Sequence, residues 1–84
     1  MGLIDSNPIL EAKASIGQGN LINAIVTLTK AIALNPDYSD AYLLRSQTLL
    51  RMGDRKSARE DMEKLISNHP QNEDVLMLKA RIEH

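Results

Sequence analysis

The feature of this sequence that most restricts its fold is an internal repeat with a period of 34 residues. Sliding the sequence against itself by that distance superimposes identical residues along most of its length. These are Leu10, Leu44 and Leu78, and the pairs Gly19/Gly53, Ala24/Ala58, Lys30/Lys64, Ile32/Ile66, Pro36/Pro70 and Asp40/Asp74. Periods of about 20 to 50 residues are typical of stacked supersecondary units, and about 34 residues accommodate two helices with their turns. The period therefore predicts a stack of helix pairs.

The first repeat unit has the sequence pattern of two helices. The first predicted helix runs from Pro8 to about Gln18, with Asn7 as its N-cap and proline at its first position, where the missing N–H is tolerated. The second follows the N-cap Asn20, places its apolar residues at the 3.6-residue helical period and stops before Pro36. The unit is therefore predicted to be a helix–turn–helix.

The second unit repeats this pattern and is followed by one more helix. The third predicted helix spans about Ser39 to Met52 and ends at Gly53, where we expect a positive φ. The fourth follows the N-cap Asp54, and the fifth follows the N-cap Asn72 and runs to the end of the sequence. No segment alternates over a strand length, so the prediction is an all-α chain of about five helices.

The small residues and turns of the repeat resemble those of the tetratricopeptide repeat family over nearly the whole chain. The matching residues are Ala12, Ala24, Ala31, Ser46, Ala58 and Ala80, the turns Gly19-Asn20 and Gly53-Asp54, and the closing Pro36 and Pro70. Pro8 and Leu65 depart from the family pattern. The resemblance implies antiparallel helix–turn–helix repeats stacked as a short right-handed superhelix. It implies a single domain over residues 1–84, with one repeat at about 5–38, a second at about 39–72, and a partial repeat or capping helix at about 73–84.

Composition excludes several classes of protein. The chain is 43% hydrophobic and 25% charged, an ordinary balance for a globular protein. Its formal charge of -1 provides no overall field that attracts nucleic acid or an anionic membrane. The absence of Cys excludes disulfides and thiolate zinc sites. With no apolar run of about 18 residues and no basic leader before an apolar segment, the default expectation is a cytoplasmic protein without a membrane span.

No residue pattern completes a catalytic, cofactor or metal site. Gly17-Gln18-Gly19 lacks the further glycine, or the Gly-Lys-Ser/Thr, of nucleotide-binding loops. His69 and His84 have no metal-ligand spacing, and no serine lies in a nucleophile elbow. We therefore expect no enzymatic activity, no cofactor and no bound metal.

Two clusters of charge are interpreted as solvated faces. The basic cluster consists of Arg51, Arg55, Lys56 and Arg59. Acidic residues follow it directly and no aromatic residue is interleaved to stack on bases, so we expect no nucleic-acid binding. The acidic neighbours Glu60 and Asp61 point about 100° apart on a helix, which is unsuited to a shared acid–base role. Both are predicted to be solvated.

The resemblance implies that the first helices of successive repeats line a concave binding face. The residues that we expect to contact a partner there are Ile9, Lys13, Leu43, Gln47, Leu50, Arg51, Met77 and Arg81. The family's clamp for a terminal carboxylate is effectively absent, because only Lys13 is basic among its positions. The favoured function is a non-catalytic module that binds a protein or peptide segment, of acidic or mixed apolar and acidic character.

Two alternatives to this function remain open. The apolar residues of the face could serve only to pack the helices, since a stack of this length provides a short groove. The chain could instead be a structural element, either part of a longer array or a self-associating unit. Leu76 and Ala80 are the candidate residues for a homodimer contact, because a sixth helix would cover them in a complete third repeat.

Overall fold

The computed structural model describes residues 7–83, so the first residues of the predicted first repeat and His84 lie outside the described part. It contains five helices: α1 (Pro8–Gly17), α2 (Leu21–Leu34), α3 (Ser39–Arg51), α4 (Arg55–Asn68) and α5 (Glu73–Glu83). Residues 7–83 contain no strand. The predicted all-α class and the number of helices are confirmed, while the handedness of a superhelix stays a prediction.

Polar side chains begin four of the five helices, as the sequence predicts. The Oδ1 atoms of Asn7, Asn20, Asp54 and Asn72 each accept a hydrogen bond from a backbone N–H two or three residues later, at 2.9 to 3.1 Å. These bonds satisfy N–H groups that have no partner inside the helix. The helix α3 differs, because its N-cap Tyr38 makes no capping bond with its side chain.

Glycines in the left-handed region connect the two helices of each pair. Gly19 has a φ of +80° and Gly53 a φ of +86°. In each turn the following residue donates its backbone N–H across the turn, from Asn20 to the Ser15 carbonyl at 2.8 Å and from Asp54 to Leu49 at 2.9 Å. This bonding pattern is the Schellman motif, which needs a left-handed residue after the helix. The positive φ expected at Gly53 is confirmed.

The helices pack in two pairs, with α5 added at the end. The helix α1 packs against α2, and α3 against α4, while α2 also contacts α3 and α4 contacts α5. Ala12, Ala24, Ser46 and Ala58 are completely buried. Ser46 Oγ donates to the Ala58 carbonyl at 2.8 Å, which shows how closely α3 and α4 approach. Small residues permit this approach because no large side chain separates the backbones.

Two apolar clusters form the core, one for each helix pair. The first consists of Ala12, Ala24, Leu28, Ala31 and Ala41. The second consists of Leu49, Ala58, Met62, Leu65, Val75, Leu78 and Ile82. Three members of the second cluster lie on α5, so this helix completes the core of the second pair. Near the C-terminal end of that helix, Arg55 Nη1 donates to the Ile82 carbonyl at 2.6 Å and links α4 to α5.

The prediction that Asp61 is solvated is wrong. Its side chain is only 8% exposed, and its two carboxylate oxygens accept hydrogen bonds from Arg45 Nε at 2.8 Å and Nη2 at 2.6 Å. Arg45 Nη1 also donates to Thr29 Oγ1 at 3.3 Å, so one guanidinium joins α2, α3 and α4. Because consecutive residues of a helix point in different directions, the exposed position of Glu60 leaves Asp61 facing α3.

The environment of Arg45 favours its charged form. Its hydrogen bonds to Asp61 raise the pKa of Arg45 above the ordinary value, against the opposing effect of burial, and the nearby charge of Asp61 acts in the same direction. Two cations also lie over the Tyr42 ring, with Arg45 Cζ at 5.5 Å and Lys64 Nζ at 5.1 Å from its centroid. These contacts place charged groups at the junction between α3 and α4.

Candidate functional site

Four of the eight candidate binding residues line one open cavity on the surface shared by α1, α3 and α5. Ile9 and Lys13 reach it from α1, and Leu43 and Gln47 reach it from α3. Its volume is about 280 Å³. Three further residues line it as well: Asp40, Leu44 and Asp74. We call this feature the groove cavity.

The groove cavity has an apolar floor and a charged margin. Ile9, Leu43 and Leu44 are half-buried and also pack against the core clusters, which fixes their positions. Lys13, Asp40 and Asp74 are exposed, and Gln47 is half-buried. The cavity therefore offers apolar contact area at its base and charged groups that keep contact with water.

The other four candidate residues do not line this cavity. Leu50 is half-buried and packs against the second core cluster, so part of its role is structural. Arg51 is exposed at the last position of α3. Met77 and Arg81 are exposed on α5, Met77 with 64% of its surface accessible. That these four residues belong to the same binding surface as the groove cavity stays a prediction.

The 34-residue period predicts that equivalent side chains of this surface form rows across the helices. Positions separated by 34 residues are equivalent in the repeat, so Ile9, Leu43 and Met77 form an apolar row. Lys13, Gln47 and Arg81 form a second row toward the C-terminal ends of the helices. Asp40 and Asp74 form a third row at the N-terminal ends of α3 and α5. The apolar row thus lies between a row with two cations and a row with two carboxylates.

A smaller cavity of about 120 Å³ adjoins the groove cavity and shares Asp40 and Leu43 with it. It contains a close contact between Ser39 Oγ and His69 Nε2, 2.6 Å apart. Within residues 7–83 no carboxylate accepts a hydrogen bond from this imidazole, and such an orienting group is part of a serine nucleophile's usual arrangement. The contact instead links Ser39, the first residue of α3, to His69, which directly follows α4.

Comparison with known proteins decides the family. The tetratricopeptide repeat model matches residues 15–82, which is most of the sequence. The chain belongs to the tetratricopeptide repeat family. No curated protein and no solved structure matches it significantly. Tetratricopeptide repeats are generally non-catalytic modules that bind proteins or peptides.

The matched range bears on the candidate site of this tetratricopeptide repeat protein. It begins within α1, after Ile9 and Lys13, and includes all of α3 and most of α5.

In residues 7–83, no helix is long and apolar enough to cross a membrane. The same part of the chain holds no group of three or more His, Asp or Glu residues that could bind a metal ion.

Three residues that line the groove cavity are not among the eight candidate contacts. The resemblance implies that Asp40 and Asp74 also belong to the concave face, and both line the cavity. The third is Leu44. The sequence could not predict the exposure of Leu44, because its repeat equivalents are also leucines and differ widely in exposure, with Leu10 64% and Leu78 2% exposed.

A second exposed surface lies on α5, at the candidate self-association residues. Leu76 is 44% exposed and Ala80 is also exposed. The equivalents of Ala80 in the first and second units are Ala12 and Ser46, both completely buried. Ser46 is covered by α4, as its bond to the α4 backbone shows, whereas no described helix occupies the corresponding place on α5.

Proposed function

We propose that this protein binds an apolar peptide segment of a partner protein on the surface of α1, α3 and α5. The groove cavity carries this proposal, because it combines a fixed apolar floor with unburied polar groups at its edge. Apolar side chains of the ligand would contact Ile9, Leu43 and Met77. Acidic residues of the ligand would face Lys13 and Arg81, and Leu50 with Arg51 would extend the contact along α3.

The size of the cavity suggests a modest affinity. Burying one Leu or Met side chain contributes about 1.5 to 3 kcal/mol, so two or three such anchors supply roughly 3 to 9 kcal/mol. Association costs several kcal/mol in lost translational and side-chain freedom. A dissociation constant of 1 μM corresponds to about 8 kcal/mol, so we expect micromolar or weaker binding by a single short segment.

A selection from random 12-residue peptides displayed on phage tests the proposal. Enriched peptides are synthesised with a fluorescent label, and their dissociation constants are measured by anisotropy. Met77→Glu adds a charge to the apolar row at an exposed position, so it should weaken binding about tenfold or more through lost apolar burial. Gln47→Glu, inside the groove cavity, should change affinity as well.

The matched control for these variants is Lys56→Glu. Lys56 is exposed on α4 and lines none of the cavities described here. Lys64 is less suitable, because its ammonium lies over the Tyr42 ring. Circular dichroism confirms that each variant is folded. If Lys56→Glu weakens binding more than Met77→Glu does, the ligand uses another face and the proposal fails.

The second candidate function is self-association through α5. Exposure of Ala80 favours it, because its equivalents Ala12 and Ser46 are buried in both preceding units. Leu76 is exposed as well, while its equivalents Pro8 and Tyr42 are half-buried. Glu83 lies one turn further along this helix and pairs with Lys79 at 3.9 Å, which keeps the face partly polar. Sedimentation velocity at micromolar concentration should detect a dimer that Leu76→Lys abolishes. A monomer with the same melting temperature before and after that change would exclude this function.

A further inference from the structure

We infer that the groove cavity selects a ligand with a basic side chain, held at the Asp40 and Asp74 side, next to the apolar residue that fills its floor. The inference rests on the proposed function and specifies the chemistry of the partner. It changes the charge expected of the ligand, because the sequence predicts a segment of acidic or mixed apolar and acidic character.

The charges that line the groove cavity are the first argument. Two carboxylates, Asp40 and Asp74, face one ammonium, Lys13, so the cavity is negative on balance. Of the basic residues expected to attract an acidic ligand, Arg51 and Arg81 lie outside the cavity. A ligand with only acidic groups would therefore meet more repulsion than attraction at this position.

The carboxylates are also free to accept a ligand. The ion pairs among residues 7–83 are those of Arg45 with Asp61 and of Lys79 with Glu83, and neither includes Asp40 or Asp74. Both aspartates are exposed, so a bound cation does not first have to displace an internal partner. A basic side chain can then form charge-assisted hydrogen bonds with them.

The position of the carboxylates separates them from the cationic row. Asp40 lies seven residues before Gln47 on α3, and Asp74 lies seven residues before Arg81 on α5. Seven residues of helix span roughly 10 Å, so the two charged rows stand on opposite sides of the apolar row. A peptide can place an apolar residue on the floor with a basic group on one side and an acidic group on the other. The polarity of the groove therefore sets the orientation of its ligand.

The first turn of a helix favours acidic residues whether or not they bind a ligand, because the helix dipole stabilises them there. Glu73 is an example of an acidic residue with this role and no contact with a cavity: it is the first residue of α5 but lines neither the groove cavity nor the smaller cavity beside it. Asp40 differs, since it lines both cavities and lies beside Leu43 in each. It therefore places a carboxylate at the edge of the apolar floor, where a ligand's basic group would lie.

The test compares peptide selections by the native chain and by the double variant Asp40→Asn/Asp74→Asn. The random 12-residue phage library is the probe for both. The native chain should enrich peptides with Arg or Lys next to an apolar residue, and the variant should lose that enrichment while still selecting apolar residues. A labelled peptide chosen by the native chain should bind the variant about three- to tenfold more weakly, since partly exposed ion pairs contribute modestly.

The control removes two carboxylates elsewhere. Asp37→Asn/Glu63→Gln changes the net charge equally, and both residues are exposed and outside the groove cavity. This control should keep the preference for basic peptides, and raised salt should weaken binding of the native chain more than that of Asp40→Asn/Asp74→Asn.

Each outcome of the selection decides a different point. Equal enrichment of Arg and Lys by the native chain and the Asp40→Asn/Asp74→Asn variant would overturn the inference and leave peptide binding intact. Enrichment of acidic peptides alone would overturn it too. Failure of the native chain to enrich any peptide above the Met77→Glu variant would overturn the proposed function itself, and the inference with it.

Discussion

Removing the guanidinium of Arg45 should destabilise this protein more than any other substitution of a charged residue on the described helices. Arg45→Met keeps most of the side-chain volume and leaves the Asp61 carboxylate without its two hydrogen bonds, of 2.8 and 2.6 Å. The side chains of the pair are 19% and 8% exposed, so water can replace only part of what is lost. A buried carboxylate without a partner is the costly state.

The expected loss follows from this burial. Breaking a buried pair by removing one partner costs about 3 to 5 kcal/mol, and the partial exposure of Arg45 points to the lower end, about 3 kcal/mol. For a domain of this size about 1 kcal/mol shifts the melting temperature by roughly 4 to 8 °C, so the melting temperature should fall by about 12 to 24 °C. The loss of the bond to Thr29 acts in the same direction.

Thermal unfolding followed by circular dichroism measures the effect, and a double-mutant cycle with Asp61→Asn isolates the pair. The double variant should lose less stability than the sum of the single variants, because it contains neither the Asp61 carboxylate nor the Arg45 guanidinium and so leaves no buried charge without its partner. Lys79→Met is the control: its pair with Glu83 is 3.9 Å long and about half exposed, so the loss should stay below about 0.5 kcal/mol.

The pH dependence of this contribution follows from the pKa shift. The pKa of Arg45 is raised in the folded state, chiefly by the hydrogen bonds to Asp61. The stabilisation is therefore present below the unfolded-state pKa of arginine and is lost only as the pH rises past the folded-state pKa. The cost of Arg45→Met should therefore be unchanged across neutral pH. A fall in melting temperature of less than about 4 °C, equivalent to under 1 kcal/mol, would refute the argument.

Two other predictions concern the ends of helices. Gly53→Val should lower the free energy of unfolding in urea by about 1 to 2 kcal/mol, because Gly53 has a φ of +86° although its surroundings leave room for a side chain. The control Gly17→Ala lacks that backbone constraint and should not destabilise the protein. Equal effects of the two substitutions would contradict the turn assignment. Asn72→Ala should cost about 1 kcal/mol and speed hydrogen exchange at the first turn of α5, unlike Asn68→Ala, and unchanged exchange would show that the cap is dispensable.

The repeat predicted most of the fold because the features it reveals are local. An N-cap such as Asn20 needs only a backbone N–H three residues later, and a turn glycine such as Gly53 needs only its own φ. Small residues at Ala24 and Ala58 recur because each pair of helices touches at the same place. Features that every unit needs are repeated in the sequence, and the period makes them visible.

The ion pair of Arg45 and Asp61 was missed because it is not repeated. The first-unit equivalents of these residues are Glu11 and Thr27, which cannot form the same contact. Composition and helical period place Glu60 and Asp61 next to each other on α4 without indicating which of them faces α3. Only the relative rotation of α3 and α4 decides that, and it results from packing of the whole core.

The groove residues differ from this ion pair in a way that makes binding and stability separable. Lys13, Asp40 and Asp74 are exposed at the rim of the groove cavity, and none of them forms an ion pair among residues 7–83. The exposed charge of Lys13 contributes little to stability, and Asp40 and Asp74 gain only the modest stabilisation that the helix dipole gives to first-turn carboxylates. Their substitution should therefore change affinity with only a small fall in melting temperature. Arg45 should show the reverse, a large loss of stability that affects binding only through folding. In this repeat stack the core fixes where each row of side chains lies, and the exposed residues of the rows determine which ligand it accepts.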